Sequence, residues 1–467
     1  MGFVLSIFYF VTNYLSPATI FGPLAAYRIE LILAVLVLLV SLPRLIGSFI
    51  LKTPQSLALI GLAIAIFLSV LIGVRWPGGA MYAFLFFVPF AFGYFLVCLH
   101  CNSKKKLQVL VLVLLFVCLF VIAQGYIDLL RGVPESASLL PGATDSSPPN
   151  LNFWNMAHPY LLATKSFTGE WIYRLRGRGE INDPNDFGQL VVCVIPLVFI
   201  FWRAKKMLQN ILFVILPVCA LLFGAFLTHS RGALVALLAV AVVAARRRIG
   251  TLPALLLAGG LFVGAMALQF TGGREISAES GSDRTALWGD SIQLLKSHPL
   301  FGVGAGSLPD YIGHTAHNSI LVCAAELGLF GLYFWSLFLF PTVRDALAID
   351  SPAKVSEGEP MVPEEGLFPQ APRKIEALDK AEINRLGRLM VLSLTGFLVA
   401  GMFLSRAYVM TFFLLGGMTE AVYEMALRRG MVAPRMKLLR VLPYAAGLAV
   451  ALVLMMYIVL RILNLMH

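Results

Sequence analysis

Long runs of apolar residues dominate this chain, and they restrict its possible folds more than any other feature. A stretch of about 20 apolar residues crosses a bilayer as a helix, and about thirteen such candidate spans can be read from the sequence. They lie at 2–15, 28–46, 55–74, 80–100, 107–130, 186–203, 208–228, 229–246, 252–271, 316–342, 389–405, 407–427 and 440–464. The first is short enough to lie at the interface instead. The sequence therefore predicts an all-α polytopic integral membrane protein with a single transmembrane domain over 1–467.

The composition supports a membrane protein and excludes several other classes. Of 467 residues, 59% are hydrophobic and 13% are charged, whereas soluble domains carry about 25% charged residues. The first run lacks a basic start and a clean cleavage site, so we expect it to stay as a helix. A net charge of +11 fits basic loops beside anionic lipid rather than nucleic acid. The six cysteines lie in or beside apolar runs, which predicts no disulfide framework.

Clusters of Lys and Arg alternate with the candidate spans and predict one orientation. They are Arg44 with Lys52, 104–106, 203–206, 246–248 and 428–437. All fall on one face, which the positive-inside rule assigns to the cytoplasm. The segment 344–388 shares that face and carries little apolar sequence, so it is predicted to be a mobile cytoplasmic loop.

Two long loops then belong to the opposite, periplasmic face, at 133–185 and 272–316. Both exceed the length that a plain connection needs, and long loops in compact proteins are usually functional or disordered. The second contains an apolar–polar pattern from Arg284 to Lys296, with Asp283 before it. We expect an amphipathic helix there, capped by Asp283 and lying along the membrane surface.

Arginine is enriched on this outer face, where it is normally depleted. The residues are Arg174, Arg176, Arg178, Arg231 and Arg284. Arg231 is the most informative, because the run 232–245 is too short to span alone and the helix must start earlier. Arg231 is thereby drawn to the membrane edge, where it needs a partner. That partner is either a bound anion or an internal carboxylate such as Glu326, Asp283 or Asp183.

His317 stands before a long apolar run on the same face. If the helix begins near Thr315, the small-residue stripe Leu321, Ala324, Ala325, Gly328 and Gly331 lies below His317 on one helical face. An imidazole held at the membrane boundary can act as a general base. The alternative role is a helix cap or an interfacial residue. Glu180 and Asp183 are the alternative bases.

Other polar patterns predict structural roles. Glu326 falls on the helix face opposite His317 and is expected to have a structural partner. The glycines of 302–306 follow no predicted strand, so they indicate a flexible turn rather than a phosphate-binding loop. His314 with His317, and Glu180 with Asp183 and Asp186, lack a full ligand set for a metal. Neither a metal nor another cofactor is expected.

Three short motifs on the outer face occur in a fixed order. Ser230-Arg231-Gly232 comes first, then Arg284-Thr-Ala-Leu-Trp288 with Pro299-Leu-Phe-Gly-Val-Gly-Ala-Gly306. Last comes His317-Asn318, nine further residues and Gly328-Leu-Phe-Gly331. In this order the motifs resemble the signature of bacterial O-antigen ligases and related oligosaccharide polymerases, and they cover residues 230–331.

The resemblance implies a metal-independent, inverting, GT-C-like glycosyltransferase in the bacterial inner membrane, with its active site facing the periplasm. It would move a glycan en bloc from undecaprenyl diphosphate to a hydroxyl of lipid A–core. His317, Arg231 and Arg284 would be catalytic. Substrate contacts would come from Arg174, Arg176, Arg178 and Asn318.

Alternatives within the family are a polymerase, whose acceptor is another lipid-linked glycan, and a protein O-oligosaccharyltransferase. A flippase or transporter is a different class. It is disfavoured because the charged residues gather on one face, whereas transporters place them near the midplane.

Overall fold

The computed structural model describes residues 1–20, 27, 29–46, 48–131, 158–165, 171–272, 278–351 and 379–465. Within these ranges we label fourteen helices and one β-hairpin. The helices are α1 Gly2–Leu15, α2 Ile29–Ile46, α3 Pro54–Val74, α4 Pro77–His100, α5 Lys104–Leu130, α6 Pro184–Phe201, α7 Met207–Leu227, α8 Arg231–Ile249, α9 Thr251–Ala267, α10 Ala278–Ser297, α11 Ser319–Asp350, α12 Lys380–Gly401, α13 Met410–Leu427 and α14 Leu438–Leu465. The strands are β1 Leu161–Lys165 and β2 Trp171–Leu175, which pair antiparallel.

Each of the thirteen predicted spans corresponds to one of these helices, and α10 is the additional one. In the described part of the chain, nine helices are long and apolar enough to cross a membrane, and α1 and α9 are shorter apolar helices. The remaining two of the thirteen predicted spans carry charges, namely Arg246–Arg248 at the end of α8 and two glutamates in α13. The prediction of an all-α polytopic membrane protein is therefore confirmed.

The helices form a buried centre and a lipid-facing rim. All of α13 is buried, and most of α6 and α11 is as well. Aromatic rings fill the centre, where Phe412 stacks on Phe397 with centroids 5.0 Å apart and meets Phe338 edge-on at 4.9 Å. By contrast, α2, α9 and α14 expose rows of Leu, Ile and Val. Exposed apolar faces of this size are expected where the solvent is lipid.

The predicted basic clusters meet at one end of the bundle, which we call the basic end. Arg44 Nη1 lies 3.0 Å from His100 Nδ1, and Lys104 pairs with Glu382. Arg247 pairs with Asp350 at 2.7 Å. These contacts join the end of α2 to the end of α4, the start of α5 to the start of α12, and the end of α8 to the end of α11. We call the opposite end the site end.

The loops contain more regular structure than the sequence predicted. The predicted loop 133–185 carries the β1–β2 hairpin, and its parts at 133–157 and 166–170 lie outside the described residues. The predicted loop 344–388 is helical at both described ends, because α11 runs to Asp350 and α12 starts at Lys380. Helix α10 begins at Ala278, so the predicted cap Asp283 lies within it.

The predicted helix under His317 is wrong in register and in continuity. Asn318 is the N-cap of α11, its Oδ1 accepting from the backbone N–H of Ile320 and Leu321, so His317 precedes the helix. Gly328 then interrupts α11 with φ 65° and ψ −168°. The continuous stripe that the sequence predicted below His317 is therefore absent.

The break at Gly328 receives the segment 299–304. Leu329 N–H donates to Pro299 O at 2.8 Å and Phe330 N–H to Leu300 O at 3.1 Å. Two further bonds run the other way, from Val303 N–H to Ala325 O and from Gly304 N–H to Glu326 O. The glycine-rich motif after α10 is thus fixed to α11 by backbone hydrogen bonds rather than being a flexible turn.

Candidate active site

A polar cavity of about 250 Å³ opens at the site end. Residues from six separate segments line it: Arg174, Asp183, Asn185, Ser230, Arg231, Gly232, Arg284, His317, Phe403 and Leu404. Both predicted catalytic arginines and the predicted base therefore face one space. Three arginines and one carboxylate give the cavity a positive balance of fixed charge, which favours an anionic ligand.

Two helix N-termini contribute to this cavity. Ser230 caps α8 and places Arg231 and Gly232 in its first turn, and Asp183 caps α6 beside Asn185. Unpaired N–H groups and the helix dipole make such termini favourable for anions. Gly232 also allows a close approach, since a β-carbon there would lie 3.1 Å from Phe403 Cβ. The Ser-Arg-Gly motif thus combines a cap, a charge and a tight contact.

Arg174 is held rigidly in the cavity wall. It is 4% exposed, its Nε donates to Thr228 O, and its Nη2 donates to Asn185 Oδ1, each at 2.9 Å. These bonds connect β2, the end of α7 and the start of α6. Arg174 therefore ties the end of α7 to the start of α6 as well as adding charge to the cavity.

Helix α10 brings Arg284 to the cavity and is fastened at two places, to the loop before α11 and to α11 itself. Trp288 Nε1 donates to Ala316 O at 2.9 Å, one residue before His317. At its other end, α10 leads into the segment 299–304 that docks at Gly328. The second and third sequence motifs therefore act together to place Arg284 near His317.

His317 adopts a left-handed backbone conformation with φ 48°. Residues other than glycine seldom adopt this region, although asparagine, aspartate and histidine enter it more often than most. Its backbone N–H donates to Ser405 Oγ at 2.9 Å. Burial and the positive charge of Arg284 lower the pKa of the imidazole, while Asp183 opposes the shift. A lowered pKa keeps His317 neutral near pH 7, the form that can accept a proton.

Three other predicted site residues lie apart from the cavity lining. Arg176 is half-buried, and Arg178 donates to Thr19 O and lies over the Tyr160 ring. The arginine trio separates because β2 ends at Leu175. Glu180 accepts from Met410 N–H at 2.6 Å. We therefore do not place Arg176, Arg178 or Glu180 in this site.

Asn318 also takes a different role from the predicted substrate contact. It is fully buried, and its side chain caps α11 and donates to Met456 Sδ at 3.3 Å. Its function in the structure is to start α11 directly after His317. The substrate-contact assignment is revised accordingly.

Sequence reasoning overlooked the loop at 402–409, between α12 and α13. It supplies Phe403 and Leu404 to the cavity and Ser405 to His317. Arg406 pairs with Asp186 of α6. The available signal was Ser405-Arg406, a polar pair between two apolar spans on the outer face.

The buried Glu326 belongs to the same region but not to the cavity. Tyr408 OH donates to Glu326 Oε2 at 3.3 Å, and the backbone N–H groups of Gly306 and Leu308 also donate to this carboxylate. The expectation of a structural partner for Glu326 is confirmed. Its carboxylate fixes the segment after Gly304 against α11.

Fold and site together define a polytopic membrane protein with a cationic cavity and a histidine at one membrane boundary. Residues 216–336 match the family model described as O-antigen ligase, which confirms the resemblance found in the sequence. This family implies a glycosyltransferase of the ligase or polymerase type, acting on lipid-linked glycans in a membrane. No curated protein sequence matches the chain. The matched span contains Arg231, Arg284 and His317.

Proposed function

We propose that this protein transfers an oligo- or polysaccharide from undecaprenyl diphosphate to a hydroxyl of a lipid-anchored acceptor, with lipid A–core as the first candidate. The observation that carries the proposal is the cavity in which Arg231, Arg284 and Arg174 face His317. The reaction takes place at the site end, which the positive-inside rule assigns to the periplasm of the bacterial inner membrane.

The arginines suit the diphosphate of the donor. A guanidinium binds phosphate oxygens through paired donors and stays charged at any ordinary pH. In the transition state, negative charge grows on the departing diphosphate. Arg231 at the N-terminus of α8 and Arg284 on α10 would stabilise that charge.

His317 is the general base of the proposed step. The acceptor hydroxyl loses its proton to the imidazole while its oxygen forms a bond to the anomeric carbon of the donor sugar. The bond from that carbon to the diphosphate oxygen breaks, and its electron pair leaves with the diphosphate. A single displacement of this kind inverts the anomeric centre. All charge stabilisation is assigned to arginines and helix N-termini, so the proposed step is metal-independent.

An apolar groove beside the cavity suits the polyprenyl chain. It has a volume of about 590 Å³ and lies between α11, α12 and α14, from Ser319 and Met402 near the cavity to Leu347 near the basic end. Its lining residues on α11 extend from Ser319, before the break at Gly328, to Leu347 after it. A long isoprenoid chain can therefore follow α11 while its diphosphate enters the cavity.

A second groove supports an acceptor that is itself anchored in the membrane. It has a volume of about 570 Å³, and aromatic side chains of α4 such as Tyr82, Phe86 and Phe90 line it. Ser405 and Thr315 lie at its polar side, next to His317. An acceptor with a hydrocarbon anchor there could present its hydroxyl to His317. This arrangement favours a ligase or a polymerase over transfer to a protein.

Reconstitution of the purified protein tests the proposal. Liposomes would contain a defined undecaprenyl-diphosphate glycan with lipid A–core, with a second lipid-linked glycan, or with an acceptor protein, and His317→Gln protein serves as the control. Glycosylated lipid A–core identifies a ligase, and elongated lipid-linked glycan identifies a polymerase. Donor movement across the bilayer without transfer to any acceptor would support a transporter and refute the proposal.

A further inference from the structure

The left-handed conformation of His317 needs to be held by its surroundings. It is the residue immediately before the N-cap of α11, and its φ of 48° is a conformation that an L-residue keeps only where neighbouring contacts impose it. The backbone N–H of His317 donates to Ser405 Oγ at 2.9 Å. The conformation of the proposed base therefore depends on a side chain from another loop.

Hydrogen bonds from α11 hold the loop at 402–409 at three of its residues. Ser319 Oγ donates to Leu404 O at 2.7 Å and accepts from Arg406 N–H at 3.1 Å. Trp335 Nε1 donates to Ala407 O at 2.9 Å. Both partners belong to α11, the helix that follows His317. The loop at 402–409 thus follows α11 closely and holds Ser405 opposite the His317 backbone.

Arg406 extends this connection to the side of the cavity that Arg174 forms. Its guanidinium pairs with Asp186, in the first turn of α6, and Asp186 is 8% exposed. The same turn carries Asn185, which holds Arg174. The loop at 402–409 therefore connects the backbone of His317 to α6, the helix whose first turn holds Arg174.

We propose that Ser405 and Arg406 are positioning residues that fix His317 relative to the arginines of the cavity. The proposal rests on the proposed function for its kinetic consequences, but not for its structural ones. Ser405 sets the His317 backbone through one hydrogen bond, and Arg406 anchors the loop that carries Ser405. Arg406 is assigned no contact with substrate, and Ser405, which also lines the second groove, is proposed to act on the donor only through His317.

Releasing His317 should change its electrostatic surroundings. The charged and titratable groups around it are Arg284 on α10, Asp183 before α6, His314 in its own loop, and Arg231 and Arg174 across the cavity. Burial and Arg284 lower its pKa. An imidazole freed to move into water loses part of both effects, so its pKa should rise toward the ordinary value of about 6.5.

The experiment measures the His317 titration in the purified full chain by NMR with ¹⁵N-labelled histidine, and the signal is assigned by its loss in His317→Gln. Ser405→Ala should raise the pKa of His317, whereas Ser405→Thr should keep the wild-type value. Ser393→Ala is the control, because it removes a buried serine hydroxyl that donates to a backbone carbonyl, Cys193 O, away from the cavity. Arg406→Gln should act in the same direction as Ser405→Ala.

Kinetics supply the second readout. Ser405→Ala should lower kcat about tenfold, the order of one lost hydrogen bond, with the KM for donor unchanged. If the pKa of His317 moves but wild-type protein transfers no glycan, the positioning role stands and the proposed function fails. If Ser405→Ala and Arg406→Gln match Ser393→Ala in the pKa of His317, the positioning role is refuted. Should Ser405→Ala fail to fold, Arg406→Gln alone decides by the same criterion.

Discussion

A β-carbon on Gly328 would lie 2.3 Å from the carbonyl oxygen of Leu300. Helix α11 is open at this glycine, and the chain leaving α10 occupies the opening through the carbonyls of Pro299 and Leu300. Two features of position 328 require glycine, namely the φ of 65° and the close contact with Leu300. This contact, 10 residues after Asn318 in the sequence, helps to place Arg284.

Gly328→Ala should therefore lower both stability and activity. The substitution combines a strained φ with a clash against backbone, and we expect a loss of about 2–4 kcal/mol in the free energy of unfolding. Thermal unfolding in detergent and glycan transfer are the two measurements. Gly264→Ala in α9 is the matched control, because a β-carbon there meets nothing within 4 Å. Equal melting temperatures for the two variants would contradict the role of Gly328.

Arg231→Ala and Arg284→Ala should each reduce turnover by about 10²–10³-fold, the usual cost of removing one donor from a developing negative charge. Lysine at either position should recover part of this loss, because it keeps the charge but not the paired geometry. The measurement is the rate of transfer, together with donor binding to the purified variants.

The matched control for Arg231 is Arg248→Ala, at the other end of the same helix and exposed at the basic end. It should leave the rate near that of wild type. Near wild-type transfer by both cavity variants would rule out the anion site. Chelators should not change the rate, whereas a loss restored by a divalent ion would contradict the metal-independent step.

Orientation can be tested with single cysteines in a Cys219→Ser background, since Cys219 is the exposed native thiol and the other five are buried. Tyr311→Cys, exposed at the site end, should react with an impermeant maleimide in intact spheroplasts. Arg248→Cys should react only after the membrane is opened. The reverse labelling pattern would place the cavity in the cytoplasm.

We expect the free energy of unfolding to depend on pH because of Glu180. Burial raises the pKa of its carboxyl to about 7, against the partly opposing effects of Met410 N–H and Arg406. The folded state therefore holds this proton more tightly than the unfolded state does. Its stabilising contribution is complete below the unfolded pKa of 4.5 and is lost as the pH rises through about 7.

Glu180→Gln should remove this dependence, because a glutamine can still accept from Met410 N–H without titrating. We expect its melting temperature relative to wild type to increase from pH 4.5 to pH 8, by an amount corresponding to about 3 kcal/mol. A constant difference over this range would contradict the raised pKa.

The sequence alone predicted the helices well because membrane helices are set by run length and hydropathy, which are local. It also predicted Arg231, Arg284 and His317 on one face, since the alternation of basic clusters indicates which loops share a face. The structure brings these three to one cavity through contacts that are not local, such as Trp288 with Ala316 O.

The errors had the same physical origin. A helix was extended through Gly328 because no local signal marks a glycine that accepts another chain segment. Arg174 and Arg176 were grouped because the end of β2 at Leu175 depends on its pairing with β1. The 402–409 loop was overlooked because Ser405 acquires its role only through the His317 backbone.

His317 is the residue on which the proposed chemistry depends most directly. General-base catalysis contributes about 10²–10⁴-fold, so His317→Ala should reduce turnover by that range while donor binding survives through the arginines. His317→Gln keeps much of the size and a hydrogen-bonding group but cannot take the proton, and it should fail equally.

In wild type the rate should fall as the pH drops through the pKa of His317. Since burial and Arg284 lower that pKa, the fall should lie below the ordinary value of about 6.5. Rates of transfer from pH 5 to pH 8, with donor binding measured in parallel, test this. A rate for His317→Gln equal to that of wild type would exclude His317 as the base and leave Asp183, which lines the same cavity, as the next candidate.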